Sequence, residues 1–242
     1  MPLDLQSGLH YEVHGTGLPV FLAPYFVSTQ SPALPGYVDG LAGDFRVLVI
    51  DPPGEGLSAP LPAAEFTADE ICRRMLAVAD AAGFTRFVWC GYSWGAVVGL
   101  QLACRCDRLL ALVCGGWPPL GGEYAKMLRG ARALVREPPT EGAYAGFDAT
   151  PFVTFYESVQ SWPESEAVAR IECPRWVLYG SNDATSIGVE TVEIAATIRA
   201  RETELRRLGW GVSEIAAVDH GLVADPSLVV PVLRRFLSSL SE

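Results

Sequence analysis

The chain is poor in the residues that build metal sites and disulfide frameworks. It has only three histidines among 242 residues, and its six cysteines include no CxxC pair. Several of these cysteines lie in apolar segments, which is typical of buried free thiols in a reducing compartment. We therefore expect no metal site.

Positive charge is scarce as well. Lys and Arg number 18 against 28 Asp and Glu, which gives a net charge of −10. The densest charged run, RARETELRR (199–207), mixes both signs, as the solvated face of a helix does. A nucleic-acid partner requires a basic face, so we expect none.

Long apolar runs and targeting signals are also missing. No run approaches the roughly 18 apolar residues that suggest a membrane span. The opening MPLDLQSGLHYEV has neither the basic region nor the apolar region of a secretory signal. Together with the cysteine usage, these absences lead us to expect a cytoplasmic protein without membrane contact.

Short apolar runs alternate with segments of helical period, and half of all residues are hydrophobic. The apolar runs predict strands at 9–15, 19–24, 45–51, 86–92, 109–116, 175–180 and 213–218. The segments between them predict helices at 67–83, 96–106, 189–209 and 227–240. This order is typical of an α/β fold, with a mostly parallel central sheet and helices on both faces.

The alternation breaks between residues 118 and 172. This segment contains six prolines and short helical pieces such as EYAKMLRGARALVRE (123–137). We interpret it as an insertion between two strands rather than as a separate domain. The predicted organisation is an α/β core of residues 1–117 and 173–242, with a short lid at 118–172.

One serine occupies the junction of two core elements, in WCGYSWGAVVGLQLA (89–103). Ser93 has small residues at positions −2, +2 and +3, namely Gly91, Gly95 and Ala96. The glycines could serve packing alone, but a sharp strand–turn–helix junction also exposes a serine hydroxyl at the carboxyl edge of a sheet. A serine nucleophile needs an adjacent base, so the rest of the chain must supply one.

The candidate base is His220, in VDHGLVADP, directly after the last predicted strand. That position is again a carboxyl edge, where open α/β sheets gather catalytic groups. His10 and His14 lie in the N-terminal hairpin and are interpreted as surface or packing residues.

The candidate acid is Asp183, in VLYGSNDATS, after the strand at 175–180. It would orient the imidazole and stabilise its charged form. Asp219 is the alternative, but neighbouring loop residues seldom point at each other, so we favour Asp183. The chain order is then Ser93, Asp183, His220.

Four motifs carry a resemblance to the α/β-hydrolase superfamily, and it covers nearly the whole chain. GYSWGA resembles its nucleophile elbow, YGSND its acid loop, DHGLVADPSLVVPVLRRFL its terminal histidine loop and helix, and DPPGEGLSAP (51–60) a structural turn. The sequence is most similar to small, lid-bearing esterase, thioesterase and haloperoxidase-like members. In DPPGEGLSAP, Glu55 is interpreted as a turn residue and not as a catalyst.

The resemblance implies an oxyanion hole of two backbone N–H groups. One donor would be Trp94. The other belongs to the loop after the strand at 19–24, where the family often has His-Gly and this chain has Ala23-Pro24-Tyr25-Phe26. Proline has no N–H, so Tyr25 is the expected donor and Phe26 the alternative.

A second departure is Asp219, where the family often has glycine. A carboxylate there would raise the pKa of His220 or touch the substrate, and the sequence does not separate the two. Relatives that cleave carbon–halogen bonds or epoxides use aspartate at the elbow, so Ser93 favours acyl chemistry.

The insertion contains seven aromatic residues that would line an apolar pocket or anchor the insertion to the sheet. The predicted substrate contacts are Phe26, Phe152, Phe155 and Tyr156, and they suggest a bulky apolar or aromatic group on the substrate.

The predicted function is a serine hydrolase that cleaves an ester, thioester or lactone of a small molecule through an acyl-enzyme, with no cofactor. Acyl transfer, carbon–carbon cleavage or lyase chemistry, and perhydrolysis would use the same three residues. A non-catalytic, ligand-binding protein of this fold is a further alternative. The oligomeric state is left open.

Overall fold

A computed structural model describes residues 3–142 and 144–240 of the chain. The strands are β1 Tyr11–His14, β2 Leu18–Leu22, β3 Phe45–Ile50, β4 Phe87–Tyr92, β5 Leu109–Gly115, β6 Arg175–Gly180, β7 Thr185–Ile187, β8 Glu190–Val192 and β9 Trp210–Ile215. The helices are α1 Leu34–Leu41, α2 Ala68–Ala81, α3 Trp94–Ala103, α4 Tyr124–Arg136, α5 Thr150–Ser158, α6 Glu164–Ala169, α7 Ile194–Arg207 and α8 Pro226–Ser238. Two short 3₁₀ helices span Ala63–Glu65 and His220–Ala224.

Seven strands form the central sheet in the order β1-β3-β2-β4-β5-β6-β9. Only β1 runs antiparallel, against β3, and the other neighbours are parallel. The remaining strands, β7 and β8, make a small separate hairpin. The predicted α/β architecture is confirmed, and β4, which leads to Ser93, lies in the middle of the sheet.

Helices cover both faces of the sheet, so the central strands are apolar on both sides. Every residue of β4 is buried. Val88 and Cys90 face the layer of α1 and α8, while Phe87 and Trp89 face the layer that includes α2, α3 and α7. Burial on two faces explains why this strand has a continuous apolar run instead of alternating residues.

Local signals set the start of α2. The Thr67 hydroxyl accepts a hydrogen bond from the Glu70 N–H over 3.3 Å, as expected for an N-cap. The Glu70 carboxylate does not complete a capping box, because it binds Arg73 and Arg74 instead. These pairs have the i,i+3 and i,i+4 spacing that stabilises a helix surface.

Two elements in the C-terminal half of the chain were predicted with wrong bounds. The helix predicted from 189 begins only at Ile194, because 190–192 pairs with 185–187 as a hairpin. The strand predicted at 213–218 is β9, which begins earlier, at Trp210. Gly209, with a φ of 81°, ends α7 and directs the buried Trp210 into the sheet, while Ala217, with a φ of 62°, lies outside the strand.

The chain between β5 and β6 carries α4, α5 and α6. Glu164 connects the two ends of this segment, because the Glu164 carboxylate accepts hydrogen bonds from the backbone N–H groups of Gly121 and Gly122. Burial raises the pKa of Glu164, and the two N–H donors oppose that shift. Across residues 3–142 and 144–240, no helix combines the length and apolarity needed to cross a membrane.

Candidate active site

Ser93 lies at the turn between β4 and α3. Its φ of 51° and ψ of −118° belong to a region that residues other than glycine rarely adopt. Such a conformation costs on the order of 1–3 kcal/mol and is found most often at functional sites. The Ser93 N–H donates to the carbonyl of Gly115 over 2.8 Å, which ties the turn to β5.

Close backbone contacts explain the small residues around the serine. A Cβ atom at position 91 would overlap the carbonyl oxygen of Gly95, and one at position 95 would overlap the carbonyl oxygen of Pro24. The indole of Trp89 donates to the Gly95 carbonyl over 3.0 Å. The glycines therefore serve packing and, through the same contacts, the sharp turn that carries Ser93.

The structure brings Ser93, His220 and Asp183 together at the carboxyl edge of the sheet. His220 Nε2 lies 3.0 Å from Ser93 Oγ, and His220 Nδ1 lies 2.7 Å from Asp183 Oδ1. The Asp183 side chain is fully buried, whereas that of His220 is 24% exposed. With Nδ1 protonated toward the carboxylate, Nε2 is free to accept the serine proton.

Tyr92 contacts His220 through both its hydroxyl and its ring. Its hydroxyl donates to the backbone carbonyl of His220 over 2.9 Å, and the two rings lie 5.2 Å apart. Gly115 and Gly116 leave room for the tyrosine ring, because a Cβ atom at either position would press on it. Burial, and then the charge of Asp183, raise the pKa of Tyr92, so its hydroxyl stays protonated as a donor.

Asp219 has a structural partner that the sequence did not suggest. Its carboxylate accepts a hydrogen bond from the Gly221 N–H over 2.8 Å and caps the 3₁₀ helix that begins at His220. The side chain is exposed and does not share the Nδ1 atom of His220, which binds Asp183. Asp219 therefore shapes the histidine loop.

Residues 23–26 form a type II turn beside the serine. Pro24 takes the second position, Tyr25 takes the third with a φ of 63°, and the Phe26 N–H donates to the Ala23 carbonyl over 3.0 Å. The third position favours glycine, so a tyrosine there is strained. Among the described residues, the N–H groups of Tyr25 and Trp94 have no hydrogen-bond acceptor.

A cavity of about 640 Å³ opens beside this turn. A second cavity, of about 240 Å³, lies toward the helix that follows His220. Tyr25 and Glu55 line both cavities, and the Tyr25 hydroxyl donates to Glu55 Oε1 over 2.9 Å. This pair is the partition between them. Burial, and then the carboxylate of Glu55, raise the pKa of Tyr25 well above its ordinary value, which keeps the hydroxyl a donor.

The four predicted substrate contacts fall in different places. Phe152 lines the larger cavity, and Phe26 lines the smaller one although it is mostly buried against Tyr37 and Tyr92. Phe155 and Tyr156 are buried and line neither cavity. In this structure the last two are packing residues of α5, because they lie on the face of the helix turned toward the core.

A second histidine–aspartate pair escaped the sequence analysis. His10 Nδ1 lies 3.2 Å from Asp51 Oδ2, and their side chains are only 3% and 1% exposed. His10 thus packs inside the protein, while His14 pairs with Glu12 at 3.1 Å in the same hairpin. The position of Asp51 at the end of a buried strand was the available signal. No arrangement of three or more His, Cys, Asp or Glu side chains in the described part of the chain could hold a metal ion.

Comparisons with known proteins agree with this architecture. A family model described as the alpha/beta hydrolase fold matches residues 31–133. The whole structure is similar to a thermophilic esterase from Thermogutta terrifontis, with a TM-score of 0.72 over 96% of this chain and 93% of that one, at 21% identity. The chain has the α/β-hydrolase fold.

Other known proteins resemble the chain over different lengths. The structure of an enol-lactonase from Burkholderia xenovorans LB400 gives a TM-score of 0.71 over 95% of this chain and 96% of that one, at 21% identity. In sequence, the provisionally named carbamate hydrolase RutD of Klebsiella pneumoniae (strain 342) is 33% identical over 120 residues. That match spans 48% of this chain and 43% of RutD, less than half of the relative's length.

Proposed function

We propose that the protein is a serine hydrolase that cleaves a carboxylic ester, thioester or lactone of a small molecule. Ser93 is the nucleophile, His220 the general base and acid, and Asp183 the residue that orients the imidazole. The observation that carries this proposal is the continuous chain from Ser93 Oγ to His220 Nε2 at 3.0 Å and from Nδ1 to Asp183 at 2.7 Å.

The reaction proceeds in two halves. Ser93 Oγ attacks the substrate carbonyl carbon while His220 Nε2 takes its proton, and Asp183 stabilises the imidazolium. His220 then protonates the leaving oxygen or sulfur, and the acyl group stays on Ser93. A water molecule, deprotonated by the same Nε2, attacks the acyl-enzyme, and the proton returns to Ser93 as the acid leaves. These steps require neither a metal ion nor an organic cofactor.

The N–H groups of Tyr25 and Trp94 hold the oxyanion in this proposal. Both are free of acceptors within the described residues, whereas the Phe26 N–H donates to Ala23. This bond favours Tyr25 over Phe26 as the second donor. Each such donor contributes about 2.7–4 kcal/mol to transition-state stabilisation. Gly95 allows Pro24 to approach α3, and this approach holds the two donors near each other.

Residues 118–172 form the lid in this proposal, over a core of residues 1–117 and 173–242. Support comes from α5, where the rings of Phe152 and Phe155 lie 5.7 and 5.1 Å from the ring of Trp94, the residue after the nucleophile. The lid therefore has direct contact with the elbow and supplies part of the lining of the larger cavity.

The names of the similar proteins favour attack on a carbonyl carbon. They describe an esterase, an enol-lactonase and a carbamate hydrolase. Carbamate cleavage is a second candidate for this chain, because the RutD match has the highest identity among the proteins compared above. For this chain we propose a small-molecule substrate, and a cytoplasmic location stays a prediction from cysteine usage.

A fluorophosphonate probe tests the nucleophile. We expect the folded protein to be labelled and the Ser93→Ala variant to remain unlabelled. Absence of labelling in the folded wild type would remove the enzyme hypothesis, and labelling of the variant would place the nucleophile elsewhere.

A substrate panel then separates the reactions. p-Nitrophenyl esters of graded chain length, lactones, thioesters and carbamates are compared, and hydrolysis of an oxygen or sulfur ester is expected to be fastest. A competing alcohol or amine is added to detect acyl transfer. If the transfer product outpaces the free acid, the protein is an acyltransferase.

A further inference from the structure

The larger cavity has a wall of aromatic rings. Tyr25, Phe66, Trp94 and Phe152 all line it, and their ring centroids lie 5.5 to 6.2 Å from one another along this wall. Its volume of about 640 Å³ is suited to a small organic group. Aromatic faces attract apolar groups, and they also attract cations that come within about 6 Å of a ring centroid.

The charged groups of the cavity are all acidic. Glu55 and Asp148 line it, and no Lys, Arg or His among the described residues does. Glu55 accepts a hydrogen bond from Tyr25, and Asp148 accepts one from the backbone N–H of Thr150. Within the described residues, neither carboxylate forms a salt bridge. Both are exposed at the cavity wall, so a substrate cation is free to approach them.

The sequence concentrates negative charge in the two segments that supply most of this lining. Residues 47–72 contain five Asp or Glu, residues 137–169 contain six, and neither segment contains a Lys, Arg or His. The chain's net charge is −10, so these segments account for its sign. Six of these eleven carboxylates pair with Arg or His side chains. Glu55 and Asp148 do not within the described residues, and unpaired charge of one sign around a cleft raises the local concentration of the opposite charge.

Another large cavity has a mixed lining. It has a volume of about 620 Å³, lies at the amino end of β5 and is lined by three arginines together with Asp107 and Glu172. Within the described residues, the cavity beside Tyr25 differs from it in having carboxylates without basic side chains. The absence of a cation beside Tyr25 and Trp94 is unfavourable for a substrate carboxylate.

We propose that the larger cavity binds a positively charged group of the substrate, an amine or a quaternary ammonium, carried on an apolar or aromatic ester. The aromatic wall packs on the substituents of the nitrogen, and Glu55 and Asp148 supply the countercharge at the opening. The cavity is lined by Tyr25 and Trp94, the proposed oxyanion donors, and not by Ser93 or His220 themselves. This inference rests on the proposed hydrolase function, since it specifies a substituent of the substrate that Ser93 would attack.

The test compares three phenyl acetates that differ in one meta substituent. The substituents are trimethylammoniomethyl, its neutral isostere 2,2-dimethylpropyl, and carboxymethyl, and each rate is divided by the rate of alkaline hydrolysis. A parallel series places the same groups on the acyl side. We expect kcat/KM for the cationic ester to exceed that of the neutral isostere roughly tenfold in at least one series, with the anionic ester slowest. Equal values in both series would overturn the proposal.

Variants test which residues cause the preference for the cationic ester. Glu55→Gln keeps a hydrogen-bond acceptor for Tyr25 and removes the charge, and Phe152→Leu keeps apolar bulk and removes the ring. We expect each to lower the cationic-to-neutral ratio about three- to fivefold. Glu137→Gln, at an exposed carboxylate of the same acidic segment outside the cavity lining, is the matched control and should leave the ratio unchanged. If the cationic-to-neutral ratio fell equally in all three variants, the overall negative charge of the protein and not this cavity would cause the preference, and the assigned site would be wrong. No fall of the ratio in any variant would contradict the assigned site as well.

A binding measurement separates this inference from the proposed hydrolysis. In Ser93→Ala, tryptophan fluorescence reports the binding of benzyltrimethylammonium and of phenylacetate, because Trp94 lines the cavity. We expect the cation to bind at least tenfold more tightly than the anion, and less tightly as salt is added. If the neutral ester is hydrolysed but the cation shows no advantage, only the substrate class is wrong. If no ester is cleaved yet the cation binds selectively, the hydrolase proposal fails and the cavity assignment stands.

Discussion

The part of the chain that the structure describes contains two histidine–aspartate pairs. They differ in the distance within the pair, in the partner of the free histidine nitrogen and in burial. His220 and Asp183 lie 2.7 Å apart, and the free nitrogen of His220 faces Ser93. His10 and Asp51 lie 3.2 Å apart, with both side chains almost fully buried. The free Nε2 of His10 is buried and has no hydrogen-bond partner among the described residues.

The comparison shows what a histidine–carboxylate pair needs in order to do chemistry. A carboxylate that orients the ring is present in both pairs. Within the described residues, only His220 combines it with a serine hydroxyl at hydrogen-bond distance and with partial exposure to solvent, as the proposed mechanism requires. The His10 pair instead joins the N-terminal hairpin to the turn at 51–58, since Asp51 also accepts from the N–H groups of Thr29 and Leu57.

Mutations in the two pairs should have different effects, one on rate and the other on stability. The largest effect is expected when the charge of Asp183 is removed. Asp183→Asn favours the wrong histidine tautomer, so kcat should fall about 10⁴-fold with little loss of fold. Steady-state kinetics on the best ester, with a thermal unfolding curve for each protein, check this. A variant that retains most of its kcat would remove Asp183 from the mechanism.

The His10 pair should respond in stability rather than in rate. His10→Asn keeps a donor near the position of Nδ1, whereas His10→Leu leaves the buried carboxylate of Asp51 without it. Hydrogen bonds to charged groups contribute about 1.5–3 kcal/mol, so the Leu variant should be less stable than the Asn variant by that amount. Urea unfolding measures the difference. If either His10 variant lost as much kcat as Asp183→Asn does, the His10–Asp51 pair would belong to the catalytic machinery.

Mutation of Asp219 tests whether this carboxylate, next to His220 in the chain, acts through its charge or through its hydrogen bond to the Gly221 N–H. Asp219→Asn keeps an oxygen that caps Gly221, and Asp219→Ala does not. An N-cap contributes about 0.5–2 kcal/mol, so we expect Ala to lower kcat/KM and stability more than Asn does. A similar loss in both variants, measured with the same ester, would instead indicate an electrostatic role beside His220.

The smallest effect is expected at Tyr92, which holds the backbone of His220. Tyr92→Phe removes one hydrogen bond, a contribution of about 0.5–1.5 kcal/mol, and keeps the ring that packs on the imidazole. We expect kcat to fall by roughly two- to tenfold, with KM little changed. An unchanged kcat would show that the packing of the loop alone positions the histidine.

The sequence predicted the parts of the site that follow from position along the chain. Ser93, Asp183 and His220 each come after a parallel strand, namely β4, β6 and β9, and the carboxyl ends of parallel strands meet at one edge. It could not predict the His10–Asp51 pair, which joins residues 41 apart across an antiparallel contact. Nothing local marks a hairpin histidine as buried when the partner strand is unknown.

The remaining differences have similar physical causes. Phe152 and Phe155 lie one turn apart on α5, yet only Phe152 lines a cavity. The orientation of a short helix is set by what it packs against, which the helical period alone does not reveal. Likewise, β9 begins at Trp210 because Gly209 ends α7 there, whereas the apolar pattern placed the strand three residues later.

Tyr25 serves two purposes with two parts of one residue. Its main chain takes a conformation that glycine would adopt more easily, and its side chain divides the two cavities and binds Glu55. If Tyr25 has the roles proposed above, we expect mutations at this position to change rate and selectivity together. In directed evolution, libraries at position 25 should give variants in which faster turnover and altered preference are correlated, whereas libraries at Phe152 can vary preference alone.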